Sequence, residues 1–192
     1  MTIHTWFAML AGSAAALSYV FYIVAMVRGQ LKPQRATWLI WSAVAILLLR
    51  GLIASGEREM IWVPWAYACG SSFIFLLSLR YGVGGWSKLD IACISGAALS
   101  LIVWKILGSP TVPVLINLFV DLLGFLPTFK KSWEDPKSER NIGWVLFTLG
   151  NLLNFGSVTT WNPLGTLYMV YMFVGCGLVT LLTYRPIPDT AK

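Results

Sequence analysis

Val112-Pro-Val-Leu-Ile-Asn117-Leu-Phe-Val-Asp121-Leu-Leu-Gly124-Phe-Leu-Pro127-Thr128-Phe129 carries one charged residue, Asp121, and ends at the pair Lys130-Lys131. Stretches of this kind decide the fold. A helix that crosses the hydrocarbon of a bilayer needs about 20 mostly apolar residues, and an acid inside such a helix is costly to keep there. The rest of the chain is built the same way. Of its 192 residues, 57% are hydrophobic and only 11% charged, and the mean hydropathy is +0.72. Soluble domains carry roughly 25% charged residues. So few charges exclude a soluble domain and a disordered chain. They also exclude a nucleic-acid binder, despite the net charge of +6. Three scattered cysteines exclude a disulfide scaffold. The composition predicts an all-α integral membrane protein whose partner is the lipid bilayer.

Seven stretches reach spanning length: 6–27, 36–54, 61–80, 89–106, 112–129, 141–160 and 164–183. The apolar runs are continuous and do not alternate, which disfavours a β-barrel. Seven spans of about 20 residues leave roughly 50 for tails and loops, too few for a soluble domain. The breakers fall between spans: Pro33, the Gly82–Gly85 loop, Ser109-Pro110 and Trp161-Asn162-Pro163. The first span lacks the basic leader of a cleaved signal peptide, and its small-residue stretch Ala11–Ala16 predicts close helix packing.

Basic residues set the orientation. Arg50, Arg58 and Lys105 fall on one side of a seven-span plan. The other eleven lie on the opposite side, in the first, third and fifth loops and the C-terminal tail. The N-terminus is therefore expected outside and the C-terminus inside, as in a bacterial inner membrane protein. The positive net charge then reflects topology.

Seven spans divide as three, one and three. Two three-span units run parallel only when an odd number of helices joins them. The expected domains are a first three-helix repeat (1–86), a linker helix (87–108) and a second three-helix repeat (109–192). Sliding the chain on itself by 103 residues brings Trp41 onto Trp144, Pro33 onto Pro136 and Tyr81 onto Tyr184. The identities are few, and the expectation rests on the topology.

The segment from Gly124 through Pro127-Thr128, Lys131 and Ser138 to Asn141, Trp144 and Asn151 resembles a PQ-loop repeat. In that superfamily a helix ends at Pro-Gln, a basic serine-bearing loop follows, and a second helix begins. Here Thr128 replaces the Gln, and the first half has Val24-Ala25 at the matching place. The superfamily includes the SWEET and SemiSWEET sugar transporters and cystinosin-type carriers. Bacterial nicotinamide riboside transporters share the three-plus-one-plus-three plan. The resemblance implies transport of a small solute by alternating access. It also implies that Trp41, Trp144 and Asn151 line a central pocket.

The residues themselves point the same way. Asn117 lies one helical turn before Asp121, and Gly124 and Thr128 extend the stripe. Asp121 is expected as a solute contact or a proton-titrating switch. In the sixth span Trp144, Thr148 and Asn151 share a face, with Asn154 close by. Trp41 and Trp144 suit stacking on a ring or a cation, whereas most other tryptophans suit the interfacial belt. Tyr67, Tyr168 and Tyr171 are further wall candidates. Pro127 removes a backbone donor and is the expected hinge. No metal or cofactor is expected: His4 has no ligand partners, and the cysteines lack ligand spacing. No nucleotide-binding glycine motif occurs, and no carboxylate cluster supports an enzyme.

The reading is a transporter of a small polar or aromatic solute, with proton coupling through Asp121 open. Two alternatives stay open beside it. One is a small cation channel lined by the Asn117–Asp121 stripe. The other is a ligand-binding membrane sensor or scaffold without transport. Two fused repeats complete one site, so a monomer or a homo-oligomer serves equally.

Overall fold

The computed structural model describes residues 2–54, 62–84, 87–107, 112–159, 161 and 163–186. Within these the chain is all-helical. Its helices are α1 (Ile3–Val27), α2 (Arg35–Ala54), α3 (Trp62–Tyr81), α4 (Lys88–Leu107), α5 (Val112–Glu134), α6 (Ile142–Phe155) and α7 (Pro163–Tyr184), with a short 3-10 turn at Pro136–Ser138. Six of the seven match the expected spans closely at their starts. The fifth runs past Phe129 into the basic segment. The sixth is shorter than expected, because it stops at Phe155 instead of Thr160. Gly156 closes it, and the Ser157 hydroxyl donates to the Asn154 carbonyl at 2.7 Å. Its fourteen residues amount to about 21 Å of helix, less than the roughly 30 Å of a bilayer core. Among the described residues, two helical segments are long and apolar enough to cross a membrane, Ile3–Val27 and Thr166–Tyr184.

Small residues set the closest helix contact. Ala11, Ala14, Ala15 and Ser18 of α1 are buried. A Cβ on Gly150 of α6 would come within 3.2 Å of the Ala11 carbonyl, and one on Gly143 within 2.9 Å of the Ser18 carbonyl. Backbones this near gain packing that larger side chains would prevent, as the Ala11–Ala16 stretch predicts.

The helix neighbours form a pattern. α3 packs against α1 and α2, and α7 packs against α5 and α6. Between the triplets, α1 meets α6 and α2 meets α5. Exchanging α1, α2 and α3 for α5, α6 and α7 maps this set of contacts onto itself. α4 lies outside the exchange, against α5 and α2.

The first triplet is clamped by one arginine at the start of α2. Arg35 donates through Nε to the Ser78 carbonyl (3.0 Å), and through its terminal nitrogens to Leu79 (3.3 Å), Gly82 (2.9 Å) and Gly84 (3.1 Å). These carbonyls lie in the last turn of α3 and just past it, where helical partners run out; the Ser78 carbonyl also accepts from the Gly82 N–H at 2.7 Å. In the second triplet Arg140 Nε donates to the Thr183 carbonyl at 2.7 Å, near the end of α7. Arg35→Met is expected to cost about 2 kcal/mol, as for loss of charge-assisted hydrogen bonds. Amide exchange at residues 78–84 should accelerate. Arg35→Lys should restore little, because an ammonium lacks the planar fork. Unchanged exchange in Arg35→Met would show that the clamp contributes nothing.

Two more acids are buried near helix ends. Asp90 accepts from Gln34 Nε2 at 2.9 Å and from the Ser87 backbone N–H at 3.1 Å, and the Ser87 hydroxyl accepts from the Asp90 N–H. This reciprocal pair is a capping box at the start of α4. The other acid, Glu139, belongs to the site.

Candidate functional site

Six helices surround one cavity of about 80 Å³, enough for several water-sized groups. α1 contributes Tyr19, α2 contributes Trp38 and Trp41, and α3 contributes Tyr67 and Ser71. The second triplet supplies Asp121 and Phe125 from α5, Trp144 and Phe147 from α6, and Tyr168, Met172 and Cys176 from α7. No lining residue comes from α4 among the described residues.

Glycines seat the rings. The Tyr19 ring lies against Gly70 of α3, the Trp41 indole against Gly124 of α5, and the Phe125 ring against Gly175 of α7. A Cβ at any of the three would come within 2.8 Å of ring atoms, so each aromatic wall depends on the missing side chain of a neighbouring helix. Gly124 reads in the sequence as part of a polar stripe. In the fold it holds a tryptophan. The rings also hold one another. Trp41 meets Trp38 at 5.2 Å, Phe125 at 4.7 Å and Trp144 at 6.0 Å between centroids, all edge to face. Edge-to-face pairs each add about 0.5–1.5 kcal/mol beyond burial.

At the end of the cavity near the basic loops the walls rest on a hydrogen-bond network. Trp38 Nε1 donates to the Tyr22 hydroxyl (3.2 Å), which donates to Glu139 Oε2 (2.6 Å). Trp144 Nε1 donates to the same oxygen at 3.2 Å. Lys131 Nζ donates to Glu139 Oε1 at 2.7 Å and also to the Lys32 carbonyl. Glu139 is fully buried, and the Lys131 side chain is 11% exposed. One carboxylate thus joins α1, α5, α6 and the loop before α2. Beside it the Thr37 and Thr128 hydroxyls pair at 2.7 Å across α2 and α5.

Asp121 is different. It is 7% exposed and faces the cavity. Its backbone carbonyl accepts from Trp41 Nε1 at 3.4 Å. Its carboxylate has no hydrogen-bond donor or ion-pair partner among the described residues.

Of the residues singled out from sequence, Trp41, Trp144, Asp121, Tyr67 and Tyr168 meet at this cavity. Asn151 lies outside the lining, where its amide donates to the Phe147 carbonyl (2.8 Å) and to Cys176 Sγ (3.7 Å). Asn154 accepts from the Ser157 hydroxyl at 3.0 Å, at the end of α6. Tyr171 packs edge to face on Phe125 at 6.0 Å, behind the wall. Pro127 is buried within α5, which continues to Glu134. The side chain of Asn117 lies outside the described residues. Sequence reasoning passed over Tyr19, Trp38, Phe125 and Phe147. Rings in apolar spans read as ordinary core, and nothing local marks the four that converge. It also passed over Glu139, which reads as a loop acid. The clue available was Lys131 on the far side of the same short loop.

Compared with known proteins, the chain matches no protein-family model, no curated protein and no solved structure.

Proposed function

We propose that the protein is a seven-span carrier of a small solute, built on the PQ-loop plan. The single observation that carries this reading is the cavity shared by six helices of two interchangeable triplets. Alternating access by rocking of two bundles calls for a site between them, and Trp41 and Trp144, equivalent under the repeat, face each other there. The contact pattern supports two parallel repeats with α4 as linker.

The outer surface supports the bilayer. Large apolar side chains stand exposed on every helix, among them Leu10 and Val20 on α1, Ile46 on α2 and Leu76 on α3. They continue with Leu99 on α4, Phe119 on α5, Leu152 on α6 and Val174 on α7. A soluble monomer rarely exposes such continuous apolar surface. The short α6, of fourteen residues, reaches only part of the way across. The excess of Lys and Arg in the loops on its side supports a cytoplasmic position for the Glu139 network. In this arrangement the network is the closed inner end of the pathway, and Pro127 is the point at which α5 bends to open it.

Reconstituted protein tests the reading. A thermal-shift screen against sugars, vitamins, amino acids and amines identifies a solute. Liposome uptake of that solute should be saturable and should support counterflow. Gly124→Val should reduce uptake more than about tenfold while the protein stays helical, because its Cβ would meet Trp41 Nε1 at 2.6 Å and drive the indole into the cavity. Unitary currents in a bilayer would replace the carrier with a channel. Binding without flux would replace it with a sensor.

A further inference from the structure

We infer that the cavity takes a small organic monocation, with Asp121 as its counter-ion; this rests on the cavity being the substrate site. Two independent observations converge. The first is the carboxylate. Asp121 is 7% exposed, lines the cavity, and meets no donor or cation among the described residues. The buried cation Lys131 is already engaged by Glu139 at 2.7 Å. A carboxylate held out of water without a partner is a standing electrostatic cost, and a cationic ligand removes it.

The second is the arrangement of the rings. Trp38 and Trp41 stand at 88° to each other, Trp41 and Phe125 at 74°, Trp41 and Trp144 at 65°, and Tyr19 and Phe147 at 89°. A flat aromatic solute is best held in a slot between parallel faces. Rings set at steep angles form a box, and a box suits a compact head with its charge spread over several carbons. Ring quadrupoles attract such a head, most strongly when it is desolvated.

Other ligand classes fit less well. An inorganic divalent cation requires about six oxygens, charged ones foremost, and the described lining supplies one carboxylate, with only the neutral hydroxyls of Ser71, Tyr19, Tyr67 and Tyr168 beside it. A neutral sugar would leave the Asp121 carboxylate without a counter-charge, and the Ser71 hydroxyl is already given to the Tyr67 carbonyl at 2.6 Å. One acid with no second charge beside it selects a single positive charge. The fitting class is therefore a compact alkylammonium or substituted amine.

The test compares a cation with its neutral shape twin. Choline and 3,3-dimethylbutan-1-ol differ by nitrogen against carbon. Titration calorimetry on the purified full chain should give choline about tenfold tighter binding or more, the scale of one desolvated cation–π contact with a counter-ion. Asp121→Asn should cut this preference at least about threefold, the rings keeping the remainder, and Asp121→Glu should keep it whole. Melting curves confirm that each variant is folded. Equal binding of the twins, or no choline binding at all, overturns the inference. So does an Asp121→Asn protein whose preference for choline is undiminished. Flux separates this inference from the carrier reading. Choline that binds but does not cross refutes the carrier alone. Counterflow of a neutral solute without choline binding refutes the cation site alone.

Discussion

Glu139→Ala is expected to destabilise the protein by about 3–5 kcal/mol, the usual penalty for breaking a buried ion pair from one side. The loss has several parts. The Lys131 ammonium stays largely buried, now without its 2.7 Å partner. The Tyr22 hydroxyl and the Trp144 N–H lose their shared acceptor, and each buried donor left unmade costs about 1–3 kcal/mol. Trp38, which leans on Tyr22, loses its support in turn. Denaturant unfolding in detergent micelles measures the change. The double variant Lys131→Met, Glu139→Gln should recover more than half of it, because two neutral side chains leave no buried charge. A Glu139→Ala protein within about 1 kcal/mol of wild type would mean that the network is ornamental and the walls stand without it.

Asp121→Asn is expected to do the opposite to stability and far more to transport. The carboxylate engages no donor among the described residues, so its removal takes away a desolvation cost and no bond. Stability should hold or rise, as at many functional sites where activity is maintained against stability. Accumulation of solute against a gradient in liposomes should fall to background, because no other acid lines the cavity among the described residues. Two buried acids thus give opposite signatures. Glu139 is a structural acid, recognised by loss of stability. On the proposed carrier reading Asp121 is the working acid, recognised by loss of accumulation in a stable protein. If Asp121→Asn still accumulates solute driven by a pH gradient, proton coupling does not run through this residue.

Much of the architecture was legible before the fold. Length, charge scarcity and seven apolar runs determine an all-helical chain, because each run is a single local segment whose character is written in consecutive residues. Asp121 stood out for the same reason: a lone acid in an apolar run is visible without any knowledge of its neighbours. The pairing of Trp41 with Trp144 followed from the repeat and was less secure, since it needed two segments to be aligned.

The cavity itself was not legible. Whether a ring in an apolar helix faces lipid, packs as core or lines a pocket depends on what approaches it from another helix. Trp38 and Trp65 look alike in sequence, yet Trp38 is buried in the wall and Trp65 is exposed. Asn151 and Asn154 have the spacing of site residues but use their polar groups on neighbouring carbonyls, sulfur and hydroxyl. Gly70, Gly124 and Gly175 carry no local mark of the role they take in the fold, as seats for three wall rings. Glu139 shows the limit most clearly. Its partners come from α1, α5 and α6, and the closest in sequence, Trp144, is five residues away. The sequence by itself determined the helices and the lone acid, because those depend on local hydropathy. Only the tertiary structure decided which rings and which second acid surround the site, because those are set by contacts between segments far apart in the chain.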